Sequence, residues 1–298
     1  IQMVVIGILL MISFVYIKSF TGSEFSFDYI DQKNPHLLSS SYIPSYTAGL
    51  TFFIAVAATN LFHQGNWQRI FSAKNDYILK SSLIYSSIII FFIVFWMGYS
   101  GLISYSLNSK VIPDLAFFDL ILNNKNSLII IGILILAMSL TLSTIDTLIN
   151  AISSLIIVNG KQINKSLIGK EVKNKANLII LLLSIIVFAL ASKGYSILYL
   201  FLLADLLCCA AVITIFYGFF NKKVNSNLAM SSIFCSLIIG LLFFPSMDFQ
   251  SSILVGNLMS KNLFSTLITG NLLFISFAVS IIVPLIMMLI YSLRNSFK

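Results

Sequence analysis

The sequence predicts an all-α integral membrane protein, on three observations. The chain is 58% hydrophobic and 9% charged, where soluble domains carry about 25% charge. Long apolar runs recur at the length of a bilayer crossing, about 20 residues. Runs such as 178–190 are apolar on nearly every face, without the alternation that a β-barrel strand needs.

Eight segments qualify as membrane helices: 1–18, 45–66, 77–106, 126–157, 176–192, 196–220, 227–245 and 267–293. Together they make residues 1–298 a single transmembrane domain, with no soluble domain between the helices. The chain opens Ile1-Gln2 already inside the first helix and without a charged flank, so it reads as a fragment whose N-terminal part is missing.

The second segment is apolar only over 48–58. Thr59-Asn60-Leu-Phe-His63-Gln64-Gly65-Asn66-Trp67-Gln68-Arg69 follows. Its apolar part is too short to cross alone, and Gly65 is the natural break point. A half-apolar helix interrupted among amides is the pattern of a discontinuous transporter helix, which binds substrate with its freed backbone groups. The competing reading ends the helix at Asn60 and makes 61–76 a loop.

The fourth segment holds the most informative pattern. Ser139, Ser143, Asp146, Asn150 and Ser153 are spaced by 4, 3, 4 and 3 residues. At about 100° per residue they lie within roughly 80° of one another on a helix. Lipid cannot solvate such a stripe, so it faces protein or a water-filled path. Inward-facing oxygen ligands suit a hard cation such as Na⁺.

The link Ser192-Lys-Gly-Tyr-Ser196 is tight and predicts an antiparallel hairpin of the helices beside it. Pro284 predicts a kink in the last helix. Cys208, Cys209 and Cys235 all fall within spans, where they pack as small apolar residues rather than pair as disulfides.

The net charge of +8 is distributed by loop. Segments 67–76, 158–175, 221–226 and 294–298, with Lys80, hold twelve Lys and Arg against Asp76 and Glu171. The alternate loops hold six Lys and six acids. This alternation is topology, not a nucleic-acid footprint. It predicts a multi-pass protein of the plasma (cytoplasmic) membrane with its C-terminus in the cytoplasm.

Four stretches resemble the sodium:solute symporter family. Ile1-Gln2 is similar to the end of its Thr-Asp-x-Ile-Gln element. Gln64-Gly-Asn-Trp-Gln68-Arg69-Ile-Phe-Ser-Ala-Lys74-Asn75 resembles the segment closing its sixth core helix. Leu142-Ser143-Thr144-Ile-Asp146-Thr147-Leu-Ile-Asn150 resembles its eighth, and Leu200-Phe-Leu-Leu-Ala-Asp205-Leu-Leu-Cys-Cys-Ala-Ala its tenth. Order and spacing agree across the whole chain.

The resemblance implies a five-plus-five inverted-repeat transporter fold. Residues 1–18 would end core helix five, 45–220 would be the second repeat, and 227–293 two additional helices. The first repeat, the missing N-terminal half of the same protein, would complete the sites. The implied function is Na⁺-coupled symport of a small organic solute by alternating access. The alternative is the solute-sensing membrane part of a signalling protein fused to a histidine kinase, which sequence beyond Lys298 would reveal. No nucleophile elbow, metal cluster or phosphate loop appears in the sequence, so an enzyme is not expected.

By the same resemblance, Ser143 and Thr144 ligate the main Na⁺, with the backbone carbonyl of Leu140 as third oxygen. The ordinary alternative is that these hydroxyls bond back into their own helix. Asp146 and Thr147 match positions of a second Na⁺. For Asp146 three readings stay open: a cation ligand, a protonatable group, or an acceptor for its Asn and Ser neighbours. Gln64 matches a substrate contact, with His63 and Asn60 beside it as further substrate candidates. His63 also reads as a satisfied polar residue at the interface. Asp205 either lines the outward water path or steadies its helix. Gln68 and Arg69 read as structural.

Loop charge places 66–76, 158–175 and 221–226 inside and 19–44, 107–125 and 246–266 outside. In a cysteine-free background, an impermeant thiol reagent added to intact cells should label Lys33→Cys and spare Lys170→Cys. The reverse pattern defeats the assignment.

Overall fold

A computed structural model describes residues 2–21, 27–108, 110–122, 127–163, 170–221, 224–247, 249, 252 and 271–296. Ile1, much of the loop expected outside at 246–266, and 164–169 of the basic loop lie outside the described residues. In chain order the helices are α1 (Gln2–Thr21), α2 (Asp28–Lys33), α3 (Pro35–Leu38), α4 (Ile43–Phe62), α5 (Gln64–Phe71) and α6 (Asp76–Leu107). A 3₁₀ turn at Pro113–Leu115 leads into α7 (Ala116–Leu122). Then come α8 (Ser127–Ile163), α9 (Lys170–Ala191), α10 (Ile197–Phe220), α11 (Ser226–Phe243) and α12 (Leu272–Ser296). Among the described residues there is no strand, only an isolated bridge between Pro245 and Ser252.

Seven of these helices are long and apolar enough to cross a membrane: α4, α6, α8, α9, α10, α11 and α12. The eighth expected span, at the start of the chain, is helical as α1, but the apolar stretch found within it, Val4–Val15, is short of a crossing. The protein is thus an all-α, multi-pass membrane protein. Local chemistry sets several helix starts. The side chains of Asn75, Ser196 and Asn225 accept backbone N–H groups at the first turns of α6, α10 and α11. Gly194 takes φ +68° in the turn after α9, a conformation that favours glycine. Pro284 lies inside α12 without ending it.

The chain forms two compact units, 1–39 with 64–193 and 40–63 with 194–298. The first contains α1, α2, α3 and α5 to α9. Its core gathers where α1, α2, α6 and α7 meet, around Ile17, Ile30, Tyr99, Ile103 and Leu120. Trp96 Nε1 donates to Ser13 Oγ at 2.8 Å, tying α6 to α1. A second cluster joins Val5 and Leu9 of α1, Ile121 of α7 and Ile133 of α8, with Leu140 packed at its edge. Along most of α6 and α9, by contrast, large apolar side chains such as Phe91, Phe92, Ile186 and Phe188 are exposed. Lipid satisfies such faces at no cost.

The second unit packs α4, α10, α11 and α12 around Ala55, Leu202, Leu206, Cys209 and Phe277. A ladder of small residues joins α11 to α12. Ser236 Oγ donates to the carbonyl of Ser280 at 2.6 Å, and Ser276 Oγ to the carbonyl of Gly240 at 2.7 Å. Thr214 and Ser232 share a hydroxyl bond of 3.0 Å between α10 and α11. Small residues four apart let the backbones approach, and each hydroxyl finds an acceptor that lipid would not provide.

The sense of the α4–α10 pair departs from expectation. Thr59 Oγ1 donates to Asp205 Oδ1 at 2.5 Å, and Cys209 Sγ to the carbonyl of Ile54 at 3.8 Å. Moving forward along α10 therefore moves backward along α4, the signature of an antiparallel pair. Strict alternation of crossings makes these two helices parallel. The pairing is set by what the facing surfaces carry: small Ala55 and Ala58 permit close approach, and Thr59 is the hydroxyl within reach of Asp205. An Asn225→Cys variant extends the labelling test to this point. The antiparallel pair has it labelled from the same side as Lys33→Cys, whereas alternation protects it.

A Cβ added at Gly240 would collide with Ser280 Oγ, with Leu206 Cδ1 a further 3.3 Å neighbour. Gly240→Ala should therefore lower the thermal midpoint of the detergent-purified protein, although Ala is favoured over Gly in a helix by about 1 kcal/mol. Overpacking of this kind costs roughly 1–3 kcal/mol. Combining it with Ser280→Ala, which removes the colliding oxygen, should recover most of the loss.

Candidate functional site

The sequence-predicted cation ligands share two turns of α8. Thr144 Oγ1 donates to the carbonyl of Leu140 at 2.9 Å, and Thr147 Oγ1 to the carbonyl of Ser143 at 3.0 Å. Thr141 bonds the carbonyl of Ala137 in the same way, at 3.0 Å. These are the local bonds that hydroxyls make in any apolar helix. Each also brings a hydroxyl oxygen and a carbonyl oxygen side by side. Two oxygens that close can both touch a hard cation whose metal–oxygen distance is about 2.4 Å. Ser143 and Thr147 are half-buried, while Thr144 is exposed.

Asp146 and Asn150 are exposed on the same helix. The Asp146 carboxylate accepts no hydrogen bond from the described residues, so a role as acceptor for its Asn and Ser neighbours finds no donor here. Among the described residues no three His, Cys, Asp or Glu side chains cluster as a metal site. What α8 offers a cation is hydroxyl, carbonyl and one carboxylate oxygen, the ligand class of Na⁺ rather than of a transition metal.

Further along α8, Ser154 ties down α5. Gln68 Nε2 donates to Ser154 Oγ at 2.6 Å, and that hydroxyl donates to the carbonyl of Ala151 at 2.8 Å. Gln64 lies four residues before Gln68 and so on the same face of α5. It is half-buried. The structure thereby brings Gln64 and α8 into one unit. Gln68 holds the helix end, as its sequence position predicts.

The other two substrate candidates lie on the far side of the helix break and belong to the second unit. The break falls at His63, which has extended backbone (ψ 104°), and not at Gly65. Gly65 is instead buried within α5. His63 is half-buried, and its Nδ1 is buried without a hydrogen-bond partner. Asn60 is exposed, with its Nδ2 donating to the carbonyl of Val56 at 2.8 Å.

Asp205 steadies its helix. It is 6% exposed and anchored by Thr59. Sequence reasoning singled out the acid but missed the hydroxyl that answers it. The available signal was the polar end of α4, where Thr59 is the first residue after the apolar stretch. Compared with family models, curated proteins and solved structures, the chain matches none. The likeness to sodium:solute symporters therefore rests on its four sequence elements.

Thr59→Val removes the one hydroxyl that answers a buried membrane carboxylate. It should destabilise the protein by about 1–3 kcal/mol, the cost of a buried acceptor left unpaired. Thr59→Val combined with Asp205→Leu should regain stability in thermal denaturation, because both polar partners are then gone. A double variant no better than the single one would remove the pair's structural role.

Proposed function

We propose that the chain carries the second inverted repeat of a five-plus-five transporter and two further helices. In this reading it couples Na⁺ to symport of a small organic solute across the plasma membrane by alternating access. The observation that carries the proposal is Asp146: a carboxylate within a span-length apolar helix, without a protein donor, beside paired hydroxyl and carbonyl oxygens. An ionised side chain at the centre of a membrane helix costs about 2.5–3.5 kcal/mol on insertion scales. A bound cation offsets that cost.

Each residue then has a role in the cycle. Ser143 and Thr144, with the Leu140 carbonyl, strip the hydration shell of Na⁺ and replace it. Asp146 and Thr147 supply the charge and oxygens for a second cation. Gln64, His63 and Asn60 flank the break between α4 and α5, the kind of place where an interrupted transporter helix offers backbone groups and amides to a solute. Cation binding favours the conformation in which these oxygens converge, and the energy of Na⁺ entry then drives the solute.

The test is solute uptake by the full-length protein in vesicles. Ser143→Ala or Thr144→Ala should raise the Na⁺ concentration for half-maximal uptake tenfold or more, about 1.4 kcal/mol. Asp146→Asn keeps shape and hydrogen bonding but loses charge, so it should lower the charge moved per solute in a protein that still inserts. Unchanged Na⁺ dependence in the hydroxyl variants, with parental coupling in the Asn variant, would refute the assignment.

A further inference from the structure

Pro284 stands inside α12, with helix on both sides of it. Proline has no backbone N–H, so the carbonyl four residues earlier, that of Ser280, loses its helical donor. Ser280 is 0% exposed, and in a bilayer neither water nor lipid supplies the missing hydrogen. A hydroxyl of α12 able to bond back to that carbonyl would stand at 283 or 284, and those residues are Val and Pro. The neighbouring helix supplies the donor instead. Ser236 Oγ of α11, also fully buried, donates to the Ser280 carbonyl at 2.6 Å. The carbonyl that proline releases is thus the one that α11 takes up.

Burial divides α12 at the same place. From Asn271 to Ile281 no residue is exposed, and Leu272, Ser276, Phe277 and Ser280 are buried. Ser276 fastens this half by a second bond, from its Oγ to the carbonyl of Gly240 at 2.7 Å. Beyond the proline, Leu285, Ile286, Leu289, Ile290 and Leu293 are exposed, with Met288 buried among them. A firmly held half and a loosely held half meet where the hydrogen-bond ladder is broken, and proline is the usual seat of a sharp bend in a helix.

We propose that Ser236 is the clasp on a proline hinge in α12. While its hydroxyl holds the Ser280 carbonyl, the helix runs on unbroken; when that bond opens, the half beyond Pro284 swings. The device lies within the second unit and does not depend on the transport reading.

A double-mutant cycle on the purified full chain tests the clasp. Ser236→Ala leaves the Ser280 carbonyl without its donor only while residue 284 is proline, so it should lower the thermal midpoint of the parent. In a Pro284→Ala background the restored N–H bonds that carbonyl, and the same Ser236→Ala change should cost little. A Ser236→Ala protein that fails to fold and is rescued by Pro284→Ala supports the coupling equally. The same loss in both backgrounds overturns it, since Ser236 then only packs. The motion is read by pulsed electron paramagnetic resonance in vesicles, with nitroxides at Met230→Cys and Ile290→Cys in a cysteine-free background; both positions are exposed. Ser236→Ala should broaden the distance distribution, and Pro284→Ala should narrow it again. A distribution that Ser236→Ala leaves unchanged overturns the hinge.

Discussion

Each hydroxyl in an apolar helix must place its hydrogen on some oxygen, because the bilayer supplies none, and the choice of that oxygen organises the protein. One group bonds back into its own helix: Thr51 to Thr47, Ser87 to Leu83, Thr144 to Leu140, Ser184 to Ile180. These hydroxyls cost the helix nothing and bind it to no neighbour. A second group bonds across helices: Ser236 to Ser280, Ser276 to Gly240, Thr59 to Asp205. Wherever the second group occurs, helices are held in register. Where only the first occurs, as on the first half of α6, the face is left to lipid.

That division separates the two units. The second builds a core of four helices in which small residues bring backbones together and hydroxyls lock them. The first relies on an aromatic and aliphatic core around Trp96, Tyr99 and Ile103, and leaves α9 attached mainly to α8. A membrane protein cannot use water to drive helices together, so packing detail and polar contacts must decide which pairs form. The unit with more cross-helix hydroxyl bonds is accordingly the one with the more completely buried helices, α10 above all.

Seven of the eight expected spans were legible in the sequence because hydropathy over about 20 residues answers a question of length alone. Pairing was not. Loop charge counts crossings and is blind to which faces meet, so it could not show α4 running against α10 through Thr59 and Asp205. The ladder Ser232, Ser236, Gly240 was visible as a spacing of four. Without its partners Ser276 and Ser280 it carried no direction. Short α7 escaped because seven residues are too few for periodicity; what makes it helical is the burial of Leu120 and Ile121 against longer neighbours. The break in the second span was legible as a tract but displaced by two residues. Conformational freedom pointed to Gly65, while the chain turns at His63 and keeps Gly65 buried inside α5.

The two membrane carboxylates sharpen the contrast between structure and site. Asp205 and Asp146 each stand within a span-length helix, and sequence alone assigns them the same insertion cost. Asp205 is buried and answered by a hydroxyl from another helix, so its polarity is consumed in holding α4 to α10. Asp146 is exposed and unanswered, while the threonine hydroxyls around it satisfy themselves on their own backbone. Ser143 and Asn150 stand three and four residues away on its own face, and neither bonds to it. That contrast is the physical ground on which the proposed cation site is built at Asp146 and not at Asp205.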